Sequence, residues 1–198
     1  DLGGNVKIRG WTRFFTSPGG RWDGTALGSM RDQLPPALAR FMHGEGARGG
    51  GSRGGRWGTM AGALSRTLGP WLAARGHEGP VGVDLMVVRL GSALRLHPLV
   101  EVNPRWTMGR VGLALSRSVA PRTRGRLRLL TDATLAGPGT LTDRALQWAR
   151  AHPLQRNGAG RWTGGRLLLT EAHPVAVAVA ALDMVPAEPE ANAPPSRH

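Results

Sequence analysis

The spacing of apolar and polar positions changes along this chain, and each change marks an element. Val81 to Leu90 is apolar and rich in β-branched residues, so it reads as a strand. Gly91-Ser92 is a turn signal, and Leu94 to Asn103 reads as the returning strand. With the turn centred there, Asp84 lies opposite Leu99, on the face that also shows His97, Glu101 and Asn103. Pro98 has no amide to give a ladder and implies an edge or a bulge. A bulge of one residue would turn Asp84 away from Glu101.

Helical spacing appears on both sides of this hairpin. Met60, Leu64, Leu68 and Leu72 recur every fourth residue, which predicts an amphipathic helix closed by Gly76. Met108, Val111, Leu115 and Val119 step in the same way, with Thr107 as N-cap. Leu34 to Phe41 predicts a short helix with Pro35-Pro36 in its first turn. Leu141 to Ala151 predicts another, capped by Thr140 or Thr142.

Arg21–Leu27 reads as a short strand or a loop, and further strands are expected at Val6–Thr16, Leu127–Thr131, Arg166–Thr170 and Val175–Val185. The last two should close as a hairpin, with Asp183 capping the final strand. Ser17 to Gly20 turns the first pair. Pro121 to Arg128 reads as a basic surface connection, and Arg156 to Gly165 as a glycine-rich loop. Residues 44–58 hold Arg48-Gly-Gly50 and Arg53-Gly-Gly55 and read as a flexible surface loop. They lack the order of a phosphate-binding P-loop. The expected class is α+β: a mainly antiparallel sheet flanked by helices, one domain over residues 1–185. A disordered Pro/Ala/Glu-rich tail follows at 186–198.

Composition narrows the function classes. The 198 residues suffice for a sizeable core. No apolar run approaches the ~18 residues of a membrane span, so no membrane partner is expected. Cysteine is absent, which removes disulfides, thiolate metal sites and cysteine nucleophiles and fits a cytoplasmic protein. The net charge of +13 invites a nucleic-acid reading. Lys7 is the only lysine, however, and the abundance of Arg, Gly, Ala and Pro matches a GC-rich coding bias. Seven Trp, three Phe and no Tyr are not interleaved with the basic residues as a single-strand binder requires. Nucleic acid is therefore a secondary expectation.

The chemistry gathers at Glu101-Val-Asn-Pro-Arg105. Side chains two apart on a strand share a face, so Glu101, Asn103 and Arg105 address one space. A carboxylate and a carboxamide oxygen suit Mg²⁺, a hard cation usually shared with substrate phosphates. The guanidinium suits phosphate or carboxylate in a bidentate fork. The helix expected after Thr107 would turn its positive end towards nearby phosphate oxygens. A structural hairpin with solvated polar tips is the alternative for any one of these residues. The six histidines are dispersed, and His97 is the one placed near this cluster.

On Gly82-Val-Asp84 followed by His97-Pro-Leu-Val-Glu-Val-Asn-Pro-Arg-Trp-Thr-Met-Gly109, the chain resembles the C-terminal part of an ATP-grasp protein. That superfamily includes D-alanine–D-alanine ligase, biotin carboxylase and glutathione synthetase. The variant looks like a bacterial branch of it. The likeness is strongest over residues 79–119 and weaker over 1–76 and 160–184.

The resemblance implies ATP with Mg²⁺ or Mn²⁺ as cofactors. It implies Asp84, Glu101 and Asn103 as metal ligands, Asn103 and Arg105 as cofactor-binding residues, and Arg105 as the catalytic arginine. It also implies a small carboxylate substrate, converted to an acyl phosphate and passed to an amine or another nucleophile. The first hairpin resembles the strand pair that carries substrate-facing residues in that superfamily. Arg9 and Arg13 lie four apart and would share a strand face, where one of them would meet an anionic substrate; two solvated arginines are the favoured alternative. ATP-grasp proteins clamp the nucleotide with lysines and a glycine-rich flap from N-terminal subdomains. With Lys7 alone, this chain is expected to be a portion of a longer enzyme that binds ATP weakly by itself, or a degenerate non-catalytic copy. A basic nucleic-acid-binding protein is the further alternative.

Overall fold

A computed structural model describes residues 3–44, 55–171, 173 and 175–186. The elements run β1 (Phe14–Thr16), β2 (Trp22–Leu27), α1 (Met30–Gln33), α2 (Pro36–His43), α3 (Gly55–Ala73), β3 (Gly82–Leu90), β4 (Ala93–Asn103), α4 (Met108–Ser116), β5 (Thr123–Leu130), α5 (Leu141–Ala151), β6 (Gln155–Arg156), β7 (Trp162–Leu168) and β8 (Val179–Pro186). The class is α+β with antiparallel ladders, as the alternating patterns imply. Among the described residues no helix is long and apolar enough to cross a membrane. The chain divides into two compact units. One comprises residues 1–13 and 33–114, the other residues 14–32 and 115–198.

In the first unit, α3 presents Trp57, Met60 and Leu72 to the interior and α2 adds Met42. Pro36 opens α2, where its missing amide costs nothing. Gly76 follows α3 with φ near +68° and donates to the Ala73 carbonyl, as a C-terminal glycine should. The segment expected as a strand from Val6 pairs only from Phe14 onward. Before that it runs as an extended arm over two helices. A side chain on Gly69 would strike the Gly4 carbonyl, and one on Gly10 would strike Leu113. Helix contacts thus replace a ladder there. Of the loop expected at 44–58, Gly55 to Gly58 form the first turn of α3, and residues 45–54 lie outside the described residues.

The second unit is a six-stranded sheet in the order β1-β2-β5-β8-β7-β6. Helix α5 lies on one face, where Leu130, Leu141, Ala145, Val179 and Ala181 form a core edged by Trp148 and Leu168. Its start is a capping box. The Asp143 amide donates to Thr140 Oγ1, and the Thr140 amide donates to the Asp143 carboxylate. The Thr140 hydroxyl also donates to the Asp143 carboxylate at 2.6 Å, and this bond, together with that from the Thr140 amide, holds the Asp143 carboxyl below its ordinary pKa.

The segment expected as a basic connection, Pro121 to Arg128, is instead mostly strand. Thr123 to Leu130 is β5, paired on both sides. Arg124, Arg126 and Arg128 alternate with Gly125, Leu127 and Leu129, a period of two that charge had obscured. The loop expected at 156–165 likewise contributes Trp162 to Gly165 to β7. Asp183 does not cap its strand; it sits within β8 and pairs with Arg166 and Arg128. The tail residues 187–198 lie outside the described residues.

Candidate functional site

Strands β3 and β4 form a two-stranded antiparallel sheet in the first unit. At the hairpin end Leu90 pairs with Ala93, and Gly91 takes φ near +60°, which a tight turn demands. The expected turn is therefore right, and this register holds as far as Met86 opposite His97. There it shifts. Asp84 pairs with Glu101, so Leu85 alone faces Pro98, Leu99 and Val100.

This bulge adds two residues to β4, where a single one had been the danger. Two residues preserve the alternation of faces, and one would have inverted it. Asp84 is thus not opposite Leu99 but directly opposite Glu101, and on the predicted face. Direct partners bring their Cβ atoms to about 4.5–5.5 Å, closer than the diagonal contact the simple register allowed. Pro98 explains the break, since it cannot donate to the ladder. Leu99 and Val100 are pushed out and exposed.

Gly82 pairs with Asn103, so no side chain crowds the carboxamide from across the ladder. A Cβ on Gly82 would fall 2.5 Å from Thr107 Cγ2. That close approach sets the start of α4 beside the open end of the hairpin. The Arg110 amide donates to Thr107 Oγ1 at 3.4 Å, as expected of an N-cap.

Asn103 is buried, and its Oδ1 accepts from Arg105 Nη2 at 3.1 Å. The Arg105 amide also donates to the Asn103 carbonyl at 2.8 Å. One Nη of the guanidinium is thus tied back to the hairpin. Asp84 is half-buried, Glu101 is exposed and Arg105 is exposed. Burial raises the Asp84 pKa above its ordinary value, the facing Glu101 carboxylate raises it further, and the Arg105 charge works against both. The four side chains Asp84, Glu101, Asn103 and Arg105 therefore belong to one electrostatic group. His97 is exposed on the same face beyond the bulge, opposite Met86.

Two carboxylates held face to face, with a carboxamide oxygen on the next residue of that face, match the chemistry of a hard divalent cation. Among the described residues no group of three or more His, Cys, Asp or Glu side chains that could hold a metal ion forms, so at the hairpin the carboxamide and not a third acidic or imidazole group would have to complete the set. Arg9 is exposed. Arg13 is half-buried and donates to the Gln33 carbonyl at 2.6 Å. Because the arm they sit on is not a ladder strand, the period-two argument for a shared face does not apply to them.

No protein-family model, curated protein or solved structure matches this chain.

The Asp84 environment fixes a sign for the pH dependence of the metal-free chain. A carboxyl whose folded pKa exceeds its unfolded one keeps its proton longer in the folded state. Its contribution is most favourable below the ordinary carboxylate range and is lost as pH rises through the folded value. Asp84→Asn is therefore expected to melt higher than the unsubstituted chain at about pH 7, with the difference vanishing near about pH 3, where the carboxyl is protonated in both states. Thermal melts of both chains in EDTA at the two pH values check this. A lower melting temperature for the variant at the neutral value contradicts it.

Proposed function

We propose that this chain carries the metal- and phosphate-binding part of an ATP-grasp-type ligase, which joins a carboxylate to an amine or a related nucleophile at the expense of ATP. The observation that carries the reading is the register of β3 and β4, which sets Asp84 directly across from Glu101 with Asn103 next on the same face. Two like charges so placed call for a cation, and the donor set is all oxygen.

In this reading Asp84, Glu101 and Asn103 would hold Mg²⁺ or Mn²⁺. When bound, the ion neutralises charge on the phosphates of ATP. Arg105 is already oriented by its hydrogen bond to Asn103. Its remaining N–H groups would donate to oxygens of the transferring phosphoryl group. The substrate carboxylate attacks the γ-phosphorus, ADP leaves, and the nucleophile displaces phosphate from the acyl phosphate. Phosphoryl transfer of this kind needs positioning and charge neutralisation more than a covalent nucleophile. The α4 N-terminus, fixed near the hairpin by Gly82 and Thr107, adds its dipole to the phosphate side.

The test is nucleotide binding with and without the cation. Calorimetric titration with ATP is expected to show weak binding in the presence of Mg²⁺ and none in EDTA. Weakness follows from the single lysine available to clamp phosphate. Binding that is unchanged by EDTA, or absent under both conditions, would defeat the reading.

A further inference from the structure

The sheet face that α5 partly covers continues into a charged half, and this half has no role in the metal–nucleotide reading. Register and alternation place Arg124, Arg126 and Arg128 of β5, Asp183 of β8 and Arg166 of β7 on this face. Asp23 of β2 joins them through Arg126, whose Nη2 donates to the Asp23 carboxylate at 2.6 Å and to the Asp23 carbonyl at 2.9 Å. Arg166 donates from Nε to Asp183 at 3.3 Å and from Nη1 to the Trp148 carbonyl at 3.2 Å.

Two arginines are thereby matched to the two carboxylates, and two remain in excess. Arg128 has only a loose approach to Asp183, at 3.9 Å, and shares that carboxylate with Arg166. Arg124 is exposed at the end of the row, and among the described residues no carboxylate pairs with it.

The face is also built and not merely charged. The Arg126 guanidinium lies over the Phe15 ring at 4.3 Å and that of Arg166 over the Trp148 ring at 4.6 Å. Gly24 makes the room, since a Cβ there would fall 2.6 Å from Arg126 Nε. The Nε atoms of Arg126 and Arg128 are both buried, yet neither meets an acceptor among the described residues. A buried donor without an acceptor is costly, and an oxyanion seated over the row would supply one.

We infer that this arginine row binds a diphosphate group, gripped at its two ends by Arg128 and Arg124. Their positions four residues apart on one strand put their Cα atoms about 13 Å from each other, with Arg126 between. Two guanidinium groups flanking a third suit an anion with two charged ends better than a single phosphate. The inference does not depend on the carboxylate pair of the hairpin.

The experiment is titration of the full chain with inorganic pyrophosphate in EDTA at low salt. Working without divalent cation separates this site from the metal-dependent one. Saturable binding is expected, at least tenfold tighter than inorganic phosphate and unaffected by Glu101→Gln. Arg128→Gln and Arg124→Gln should each weaken it about tenfold, whereas Arg89→Gln, an exposed arginine of β3, should change it less than twofold. Arg124 is exposed, so its variant remains informative if Arg128→Gln fails to fold. ADP in EDTA distinguishes the source: affinity equal to that of pyrophosphate identifies a nucleotide diphosphate, and tenfold weaker binding a free one. The inference is overturned by the absence of saturable pyrophosphate binding, by phosphate binding equally well, by equal losses in the Arg89 and Arg124 variants, or by affinity for a single-stranded oligonucleotide alone.

Discussion

Glu101→Gln is expected to remove at least nine-tenths of the Mg²⁺-dependent affinity for ATP, a loss of about 1.4 kcal/mol or more. The substitution keeps the shape of the side chain and deletes its charge. In the ladder it leaves Asp84 facing a neutral amide, so the pair that calls for a cation becomes a single half-buried carboxylate. Because Glu101 is exposed and lies on a two-stranded hairpin, its replacement should leave the fold intact. Removing the like charge should also lower the Asp84 pKa towards its ordinary value. Titration of both chains with ATP at fixed Mg²⁺ gives the comparison, and far-ultraviolet circular dichroism shows whether both are folded. Equal Mg²⁺-dependent binding by the two chains would mean that the hairpin is not the metal site. A basic surface that held nucleic acid would respond differently, since its affinity for an oligonucleotide would fall with salt and be indifferent to this substitution.

The hairpin was legible because its signals are local. Gly91 fixes the turn, β-branched residues fix the strands, and alternation then assigns faces. What sequence could not supply was the size of the bulge. Pro98 announces an interruption, but whether one or two residues are expelled depends on how Leu85 and Asp84 resume pairing. Parity decided the site, and parity is a property of the pairing and not of either strand alone. The arginine row was missed for a different reason. Charge at Arg124, Arg126 and Arg128 suggested solvent, while Gly125, Leu127 and Leu129 between them already carried a strand period. The extended arm before Phe14 shows the opposite error. Its residues favour a strand, but the backbone runs against helices at Gly4 and Gly10 and finds no ladder there. Helix boundaries fared better, since Pro36, Thr107, Thr140 and Gly76 act on their own backbone neighbours.

Leu130→Ala should cost about 3 kcal/mol of stability, while Leu129→Ala, one residue earlier on the same strand, should cost less than about 1 kcal/mol. Leu130 is 1% exposed and packs with Leu141, Ala145, Val179 and Ala181 between α5 and the sheet. Leu129 points to the other face and is 39% exposed. Truncating Leu130 removes apolar contact and leaves a cavity that α5 cannot collapse into. The capping box fixes its N-terminal end, and Thr142 donates to the His173 carbonyl at 2.5 Å. At about 2–4 °C per kcal/mol for a chain of this size, the first variant should melt about 10 °C lower and the second within a few degrees of the original. Urea denaturation followed by circular dichroism gives the same comparison as midpoints with unchanged slope. Comparable losses in the two variants would mean that β5 does not alternate as described. The placement of Arg124, Arg126 and Arg128 on the α5 face would fall with it, because the same alternation assigns both sets of side chains.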